Sequence, residues 1–180
     1  MSLPTIRRAN VADAAALAKL AAQTFAETFA ADNKTEDIDR HLSSAYGLTQ
    51  QTIEIEDPEV ITLLAHREGT LVGFAQVRRK AAPSCVIAAR PVELHRFYVL
   101  RLEHGTGLGG SLMQAVRKAA LELGGHHMWL GVWERNARAL AFYRKAGFIE
   151  VGHHVFMVGS DPQTDLVLFT PLLDPQESAA

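Results

Sequence analysis

The segment Glu103-His104-Gly105-Thr106-Gly107-Leu108-Gly109-Gly110 decides both the fold and the first hypothesis about function. An apolar strand is predicted before it, over residues 92–100, and a helix after it, over residues 108–123. Glycines let a backbone approach a ligand closely, and the first turn of a helix presents unpaired N–H groups at a positive dipole end. The combination is typical of a pyrophosphate site, with a glycine-rich connection that binds nothing as the alternative.

Gly105, Gly107 and Gly110 also fit the G-x-G-x-x-G spacing of dinucleotide-binding proteins. In that motif the first glycine follows its strand directly, whereas five residues separate Val99 from Gly105 here. About a hundred residues precede the loop, and the chain after it is too short for two mononucleotide-binding halves. A nicotinamide or flavin cofactor is therefore the weaker interpretation.

The rest of the chain predicts one α/β domain over residues 1–173 and a flexible tail over residues 174–180. Helices come first, then a hairpin, then alternating strands and helices, which indicates a mixed sheet. The further predicted elements are a strand at 5–8, a helix at 11–31, helices capped by Thr35 and Thr49, a hairpin of 60–66 and 71–79, a strand at 128–132, a helix at 136–146, and strands at 148–158 and 166–170.

Composition narrows the function class. The net charge of −2 gives no global attraction to nucleic acid or to an anionic membrane, so neither is an expected partner. A single cysteine and the lack of a signal-peptide pattern favour a cytoplasmic protein. The paired histidines at 126–127 and 153–154 point to opposite faces of their strands, so no metal site is expected. The first 60 residues carry ten acidic and five basic side chains, indicating a solvated acidic face or a cation-binding surface.

The central motif resembles that of the Gcn5-related N-acetyltransferases, usually written Q/R-x-x-G-x-G/A. Here His104-Gly105-Thr106-Gly107-Leu108-Gly109 matches it, with His104 in place of Gln or Arg. The later segments WLGVWERN (129–136) and AFYRKAGF (141–148) also match the superfamily, whose pattern has an Asn opening a helix and a Tyr before Gly-Phe. The resemblance implies a mixed, mostly antiparallel sheet of about seven strands with helices on both faces.

The resemblance also implies acetyl-CoA as co-substrate, lying where the central strand and its parallel neighbour part. Glycine-loop N–H groups would hold the pyrophosphate, and the main chain of the central strand would hold the pantetheine arm. The residues expected to bind the cofactor are Phe97, Tyr98, Val99, His104, Gly105, Thr106, Gly107, Leu108, Gly109, Gly110, Asn136 and Tyr143.

The implied chemistry is direct attack of an amine on the thioester, without an acyl-enzyme. Tyr143 matches the superfamily's usual general acid for the leaving thiolate. Glu93 lies where several members carry a glutamate base and is the first choice, while His95 competes with a more suitable intrinsic pKa. Alternation along the strand would place Glu93, His95 and Phe97 on one face.

A closer resemblance, to the bacterial PaiA-type spermidine/spermine N-acetyltransferases, rests on ETFAADN (27–33), Tyr46 and Thr164-Asp165-Leu166. It implies a polyamine acceptor, held by some of the carboxylates of Glu27, Asp32, Glu36 and Asp37. The alternatives are another small amine, a protein or peptide amine, or a non-catalytic acyl-CoA-binding module. The family resemblance also implies a possible homodimer.

Overall fold

The computed structural model describes residues 2–31, 34–158 and 160–172. The predicted tail and the predicted ligand Asp32 lie outside this part of the chain. The strands are β1 (Thr5–Arg8), β2 (Val60–Arg67), β3 (Thr70–Arg78), β4 (Pro91–Val99), β5 (His127–Trp133), β6 (Ile149–Val158) and β7 (Asp161–Pro171). The helices are α1 (Ala14–Phe29), α2 (Thr35–Ala45), α3 (Leu48–Glu56), α4 (Leu108–Glu122) and α5 (Ala137–Lys145).

The seven strands form one sheet in the order β1-β2-β3-β4-β5-β7-β6. Every neighbouring pair is antiparallel except β4 and β5. The parallel pairing joins only residues 91–93 to residues 127–129, and the two strands part beyond it. The predicted mixed, mostly antiparallel sheet is confirmed, and its centre is open along one edge of β4.

Helices cover both faces of this sheet. On one face Leu17, Phe25 and other residues of α1 pack against Leu64 and Phe74 of the sheet. On the other face the apolar side of α4 packs against β2, β3, β4 and β5. Burial of these two apolar layers is the main force that holds the sheet between its helices.

Local signals explain most element boundaries, and three predictions need correction. Asn10 caps the start of the first helical segment with a capping box, as its sequence position suggests. Thr35 is the first residue of α2 and Thr49 the second of α3, and the N-cap positions are Lys34 and Gly47, so both predicted caps are wrong. The last strand begins at Asp161 rather than at residue 166, because its polar first half pairs with β6. Among the described residues, no helix has the length and apolarity needed to span a bilayer.

Candidate active site

A bulge in β4 shapes the site. Arg96 pairs with Gln76 and Leu94 with Val77 on β3, so His95 is an extra residue without a partner there. A bulge of this kind re-aims the side chains that follow it. The position of the bulge, two residues beyond the last β4–β5 pair, puts this change of direction where the two strands part.

The bulge corrects one sequence prediction. Phe97 packs into the apolar cluster on the α4 face, which also contains Val92 and Leu94. Glu93, which lies between those two residues on the strand, faces the opposite side of the sheet. Phe97 therefore does not share a face with Glu93, because the extra residue shifts the alternation by one position.

Glu93 is a buried carboxylate whose charge is compensated within the protein. It is 7% exposed, and Arg78 of β3 donates to Oε2 from Nε. His95 lies on its other side, with Nδ1 3.7 Å from Oε1. Burial would raise the pKa of Glu93, but the hydrogen bonds and charges of His95 and Arg78 lower it to about 2. The carboxylate is therefore ionised at neutral pH and holds protons weakly.

His95 has the opposite bias. Burial lowers the pKa of His95, and the neighbouring guanidinium groups of Arg96 and Arg78 lower it further, while Glu93 opposes them. The imidazole is consequently neutral near pH 7 and has a nitrogen that can accept a proton.

Tyr143 of α5 is fixed by three aromatic rings. The ring centroids of Phe142, Phe148 and Phe97 lie 5.4, 5.5 and 6.2 Å from its own. Burial raises the pKa of the Tyr143 phenol above its ordinary value, so the hydroxyl keeps its proton at neutral pH. No hydrogen bond from a described residue occupies this hydroxyl, which leaves it available to a substrate.

The glycine loop has the geometry expected of a phosphate cradle. Gly105 and Gly107 adopt φ angles of +83° and +87°, and nothing lies within 4 Å of the position of a side chain at either residue. Gly107 precedes α4 and offers no side-chain cap to its first N–H groups. The Leu108 N–H donates weakly to Thr106 Oγ1, at 3.4 Å. The N–H groups that follow it in the first turn of α4 fit a pyrophosphate, and the β5-side edge of β4, which β5 leaves unpaired at residues 94–99, fits the amide-rich arm of coenzyme A.

The other residues predicted to contact the cofactor surround this loop. Thr106 Oγ1 donates to the Glu103 carbonyl at 2.9 Å, and Arg67 binds the Glu103 carboxylate, which together fix the loop. His104 is hydrogen-bonded to Arg138 through Nδ1. Asn136 caps α5 by accepting a hydrogen bond from the Ala139 N–H at 3.1 Å. The remaining members frame the loop as small or buried residues of α4, namely Leu108, Gly109 and Gly110.

A cavity of about 580 Å³ opens beside this machinery. It lies against β4, β5 and the start of α5, with Glu93, His95 and Tyr143 in its lining. Further lining residues are Phe29, Tyr46, Tyr98, Trp129, Gly131, Trp133, Asn136, His154 and Asp165. The structure thus brings the predicted acid and both candidate bases to one cavity.

The predicted acceptor carboxylates are placed elsewhere. Glu27 is exposed on α1 and receives a hydrogen bond from Gln23, and Glu36 is exposed on α2. Asp37 is buried, but its Oδ1 accepts two hydrogen bonds from Ser160, at 2.9 Å from N and 2.9 Å from Oγ. None of these three residues lines the cavity.

The sequence did not single out several polar residues that the cavity contains. Asp165 and His154 are brought together from β7 and β6, with 4.0 Å between Oδ2 and Nε2. Arg96 is buried, binds Glu54 of α3 and lies 4.7 Å above the ring of Tyr46. Arg78, at the end of β3, is the partner of Glu93. In the sequence, Asp165 is part of the Thr164-Asp165-Leu166 resemblance, which assigned it no role in the site.

Metal-binding side chains are not clustered in the described part of the chain. No three His, Cys, Asp or Glu residues there come close enough together to hold an ion. His127 instead stacks on Phe169, with its Nδ1 2.9 Å from the Ala89 carbonyl oxygen. His127 therefore has structural contacts of its own.

Comparisons with known proteins place this geometry in context. The model of the family described as Acetyltransferase (GNAT) family matches residues 16–148. An uncharacterized N-acetyltransferase of Mycobacterium tuberculosis is 34% identical over 165 residues, which cover 89% of this chain and 99% of the relative. Aminoglycoside N(6')-acetyltransferase type 1 of Stenotrophomonas maltophilia is 30% identical over 156 residues, covering 86% of this chain and 92% of the relative.

A solved structure shares the fold over almost the whole chain. The PaiA N-acetyltransferase of Thermoplasma acidophilum, in complex with coenzyme A, matches with a TM-score of 0.74. The sequence identity is 23%, and the match covers 95% of this chain and 99% of that one. At this sequence identity, the likeness shows a shared fold and does not show which amine this chain acetylates.

Proposed function

Because the chain belongs to the acetyltransferase (GNAT) family and is an acetyl-CoA-dependent N-acetyltransferase, we propose that its acceptor is a small polycationic amine of the spermidine or spermine type. The observation that carries this proposal is the cavity, in which the buried carboxyl of Asp165 lies among aromatic rings and has no counter-charge among the described residues. Carboxylates attract ammonium groups, and aromatic faces add cation–π attraction. The large side chains of Trp133 and Tyr46 line the cavity, and an aliphatic polyamine chain fits between such side chains more easily than a peptide does.

An aminoglycoside is the second candidate acceptor. The 30% identity to an aminoglycoside N(6')-acetyltransferase supports it, and such acceptors are also polycationic amines. Both candidates would place an ammonium group against the Asp165 carboxyl. The two classes of acceptor differ in width, because the sugar rings of an aminoglycoside need a wider cavity than the methylene chain of a polyamine does.

Acetyl-CoA supplies the acetyl group, activated as a thioester. The C–N bond forms at the acetyl carbon as the C–S bond breaks, so the amine must lose a proton and the sulfur must gain one. We assign the first proton to His95, directly or through one water, because its imidazole is neutral at pH 7. Tyr143 provides the second, since its hydroxyl is protonated and has no protein partner among the described residues.

Glu93 takes a supporting role in this assignment. With a pKa of about 2 it is a poor proton acceptor, although sequence resemblance made it the first choice of base. Its fixed negative charge, 3.7 Å from Nδ1 of His95, stabilises the imidazolium that forms when His95 accepts the proton. Glu93 therefore orients His95 and offsets its charge.

The proposed acceptor is tested by measuring the release of free coenzyme A thiol with a panel of amines. We expect kcat/KM for spermidine and spermine to exceed that for a lysine-containing peptide by about tenfold or more. Aminoglycosides in the same panel test the second candidate. Turnover of the peptide at the highest kcat/KM would contradict a polycationic small-molecule acceptor.

The proposed roles are tested with Tyr143→Phe and His95→Gln. A general acid or base contributes about 100-fold or more to the rate, so each variant should lose at least that factor in kcat. Binding of acetyl-CoA, measured by calorimetry, should change little in His95→Gln, whose side chain lies on the acceptor side. Wild-type kcat in either variant would remove that residue from the mechanism.

A further inference from the structure

Asp165 is a buried carboxyl that the described part of the protein leaves without a counter-charge. The residue is 8% exposed, and Oδ1 has no hydrogen-bond partner among the described residues. Three other buried or half-buried carboxyls are all partnered, Glu93 by Arg78, Glu54 by Arg96 and Asp37 by Ser160. An isolated carboxylate in such a place costs several kcal/mol unless a cation or donor approaches it.

The chain keeps space in front of this carboxyl. On β7, Asp165 lies beside Trp133 of β5 and His154 of β6. A methyl group on Gly131 would sit 3.1 Å from Asp165 Oδ2 and 3.0 Å from His154 Nε2. Gly131 therefore leaves room that any other residue would fill, and Trp129 and Trp133 flank this room on the same face of β5.

Within residues 2–31, 34–158 and 160–172, no cationic side chain pairs with Asp165. His154 is 4.0 Å away, but burial lowers its pKa, so its imidazole is neutral at pH 7. Arg78 is already bound to Glu93 on β4, and His95 is neutral for the same reason as His154. Lys80 lies on the cavity lining without an ion pair to Asp165. Burial accordingly raises the pKa of Asp165 to about 7.

We propose that Asp165 binds a second ammonium group of the acceptor, one that is not acetylated, so that the enzyme selects diamines and polyamines over monoamines. This inference rests on the proposed function and adds the group that sets its specificity. The reacting nitrogen must reach the parting of β4 and β5, near Tyr143 and His95. Asp165 is on β7, two strands away, which is about 10 Å at ordinary strand spacing. Because the contact between an ammonium group and a carboxylate covers about 3 Å of this distance, the two nitrogens must be about 6–7 Å apart, which is about the span of four methylene groups.

The test compares two acceptors of equal length, 1,4-diaminobutane and butylamine, in wild type and Asp165→Asn. A charged interaction of this kind is worth about 2–3 kcal/mol, or about 30- to 150-fold. We expect wild type to prefer the diamine in kcat/KM, and Asp165→Asn to reduce that preference by about 30-fold, mainly through KM. Butylamine kinetics should change by less than about threefold. Asp39→Asn, the same change at an exposed aspartate outside the cavity, is the matched control.

Three outcomes overturn the inference: an unchanged diamine preference in Asp165→Asn, a wild type with no such preference, or a fall in kcat for both amines at constant KM. The last result would place Asp165 in proton transfer. Asp165→Ser provides the same comparison if the asparagine variant fails to fold.

Calorimetric binding of 1,4-diaminobutane to the protein with coenzyme A separates this inference from the proposed function. Binding that Asp165→Asn abolishes, in a wild type that acetylates only peptides, would contradict the proposed acceptor and support the Asp165 site. If wild type acetylates spermidine, but wild type and Asp165→Asn bind the diamine equally well, the proposed acceptor would be supported and the Asp165 site contradicted.

Discussion

The cavity has a buried carboxyl on each of two sides, Glu93 on β4 (the β4 wall) and Asp165 on β7 (the β7 wall), and the surroundings of these two carboxyls differ. On β4, Glu93 is bound by Arg78 and lies 3.7 Å from His95, and its pKa falls to about 2. On β7, one oxygen of Asp165 has no hydrogen-bond partner in the described part of the chain, and burial raises the pKa of this carboxyl to about 7. The two residues are almost equally buried, at 7% and 8% exposure, so partners rather than burial make the difference.

This difference separates a charge that belongs to the fold from one that is reserved for a substrate. Removing the partner of a buried ion is destabilising, because the remaining charge has no compensation. A carboxyl that is already without a partner loses little when its charge is removed. Mutation of Glu93 on the β4 wall should therefore lower the stability of the protein. Mutation of Asp165 on the β7 wall should instead lower its affinity for the acceptor.

The largest expected effect is on stability at the β4 wall. Glu93→Gln leaves Arg78 without its counter-charge and should lower the free energy of unfolding by about 3 kcal/mol. Asp165→Asn, measured in the same urea titrations at pH 7, should not be destabilising by more than about 1 kcal/mol. Equal losses in the two variants would remove the contrast between the walls.

The pH dependence of stability gives the next largest effect. The pKa of Asp165 is about 7 in the folded protein, above its ordinary 3.8, so folding favours the protonated form. Its stabilising contribution is present below about pH 4 and is lost as the pH rises through 7. Between pH 5 and pH 8, wild type should therefore lose about 2 kcal/mol relative to Asp165→Asn.

Glu93, His95 and His154 titrate in both wild type and Asp165→Asn. Their contributions therefore cancel, to first order, in the difference between the two free energies of unfolding. Glu93 contributes in the opposite sense and only in acid, since its stabilisation is lost as the pH falls toward its pKa of about 2. Denaturant titrations at several pH values would measure the difference. A constant difference between the two proteins from pH 5 to pH 8 would show that Asp165 titrates normally.

A smaller effect is expected from filling the space between the walls. Gly131→Ala places a methyl group about 3 Å from both His154 and Asp165, which must then shift. We expect a loss of about 1 kcal/mol in stability and a severalfold higher KM for spermidine. Steady-state kinetics with spermidine, at saturating acetyl-CoA, measure the second effect. An unchanged KM would mean that the acceptor does not approach this side of β5.

The smallest effect belongs to a charge pair outside the cavity. Glu59 and Arg79 are 3.2 Å apart, and about half of each side chain is exposed. Solvent screens such a pair, so Glu59→Gln should change the free energy of unfolding by less than about 0.5 kcal/mol. A loss as large as that of Glu93→Gln, in the same urea titrations, would show that burial does not set the value of these pairs.

The sequence predicted well what depends on neighbouring residues. The glycine loop, the helix after it and the Tyr143 helix lie in one continuous stretch, and their signals are local: glycines, a capping Asn136 and helical spacing. The mixed sheet also followed from the order of the predicted elements. Resemblance to a known motif then gave the expected chemistry of the whole segment.

The acceptor side could not be predicted in the same way, because it is made by long-range pairing. The bulge at His95 depends on the register of β3 against β4, which no local pattern encodes. Asp165 meets His154 and Gly131 only after β6, β7 and β5 have paired. The acidic N-terminal half attracted the prediction instead, since its carboxylates are numerous, although Asp37 is bound to Ser160.

The most direct test of the contrast between the walls is a carbon-13 NMR titration of the side-chain carboxyls, with and without spermidine. We expect Asp165 to titrate near pH 7 in the free protein and at least one pH unit lower with spermidine bound, while Glu93 stays ionised throughout the neutral range. An Asp165 carboxyl that titrates near its ordinary 3.8 and does not respond to spermidine would show that it is not the ammonium-binding group.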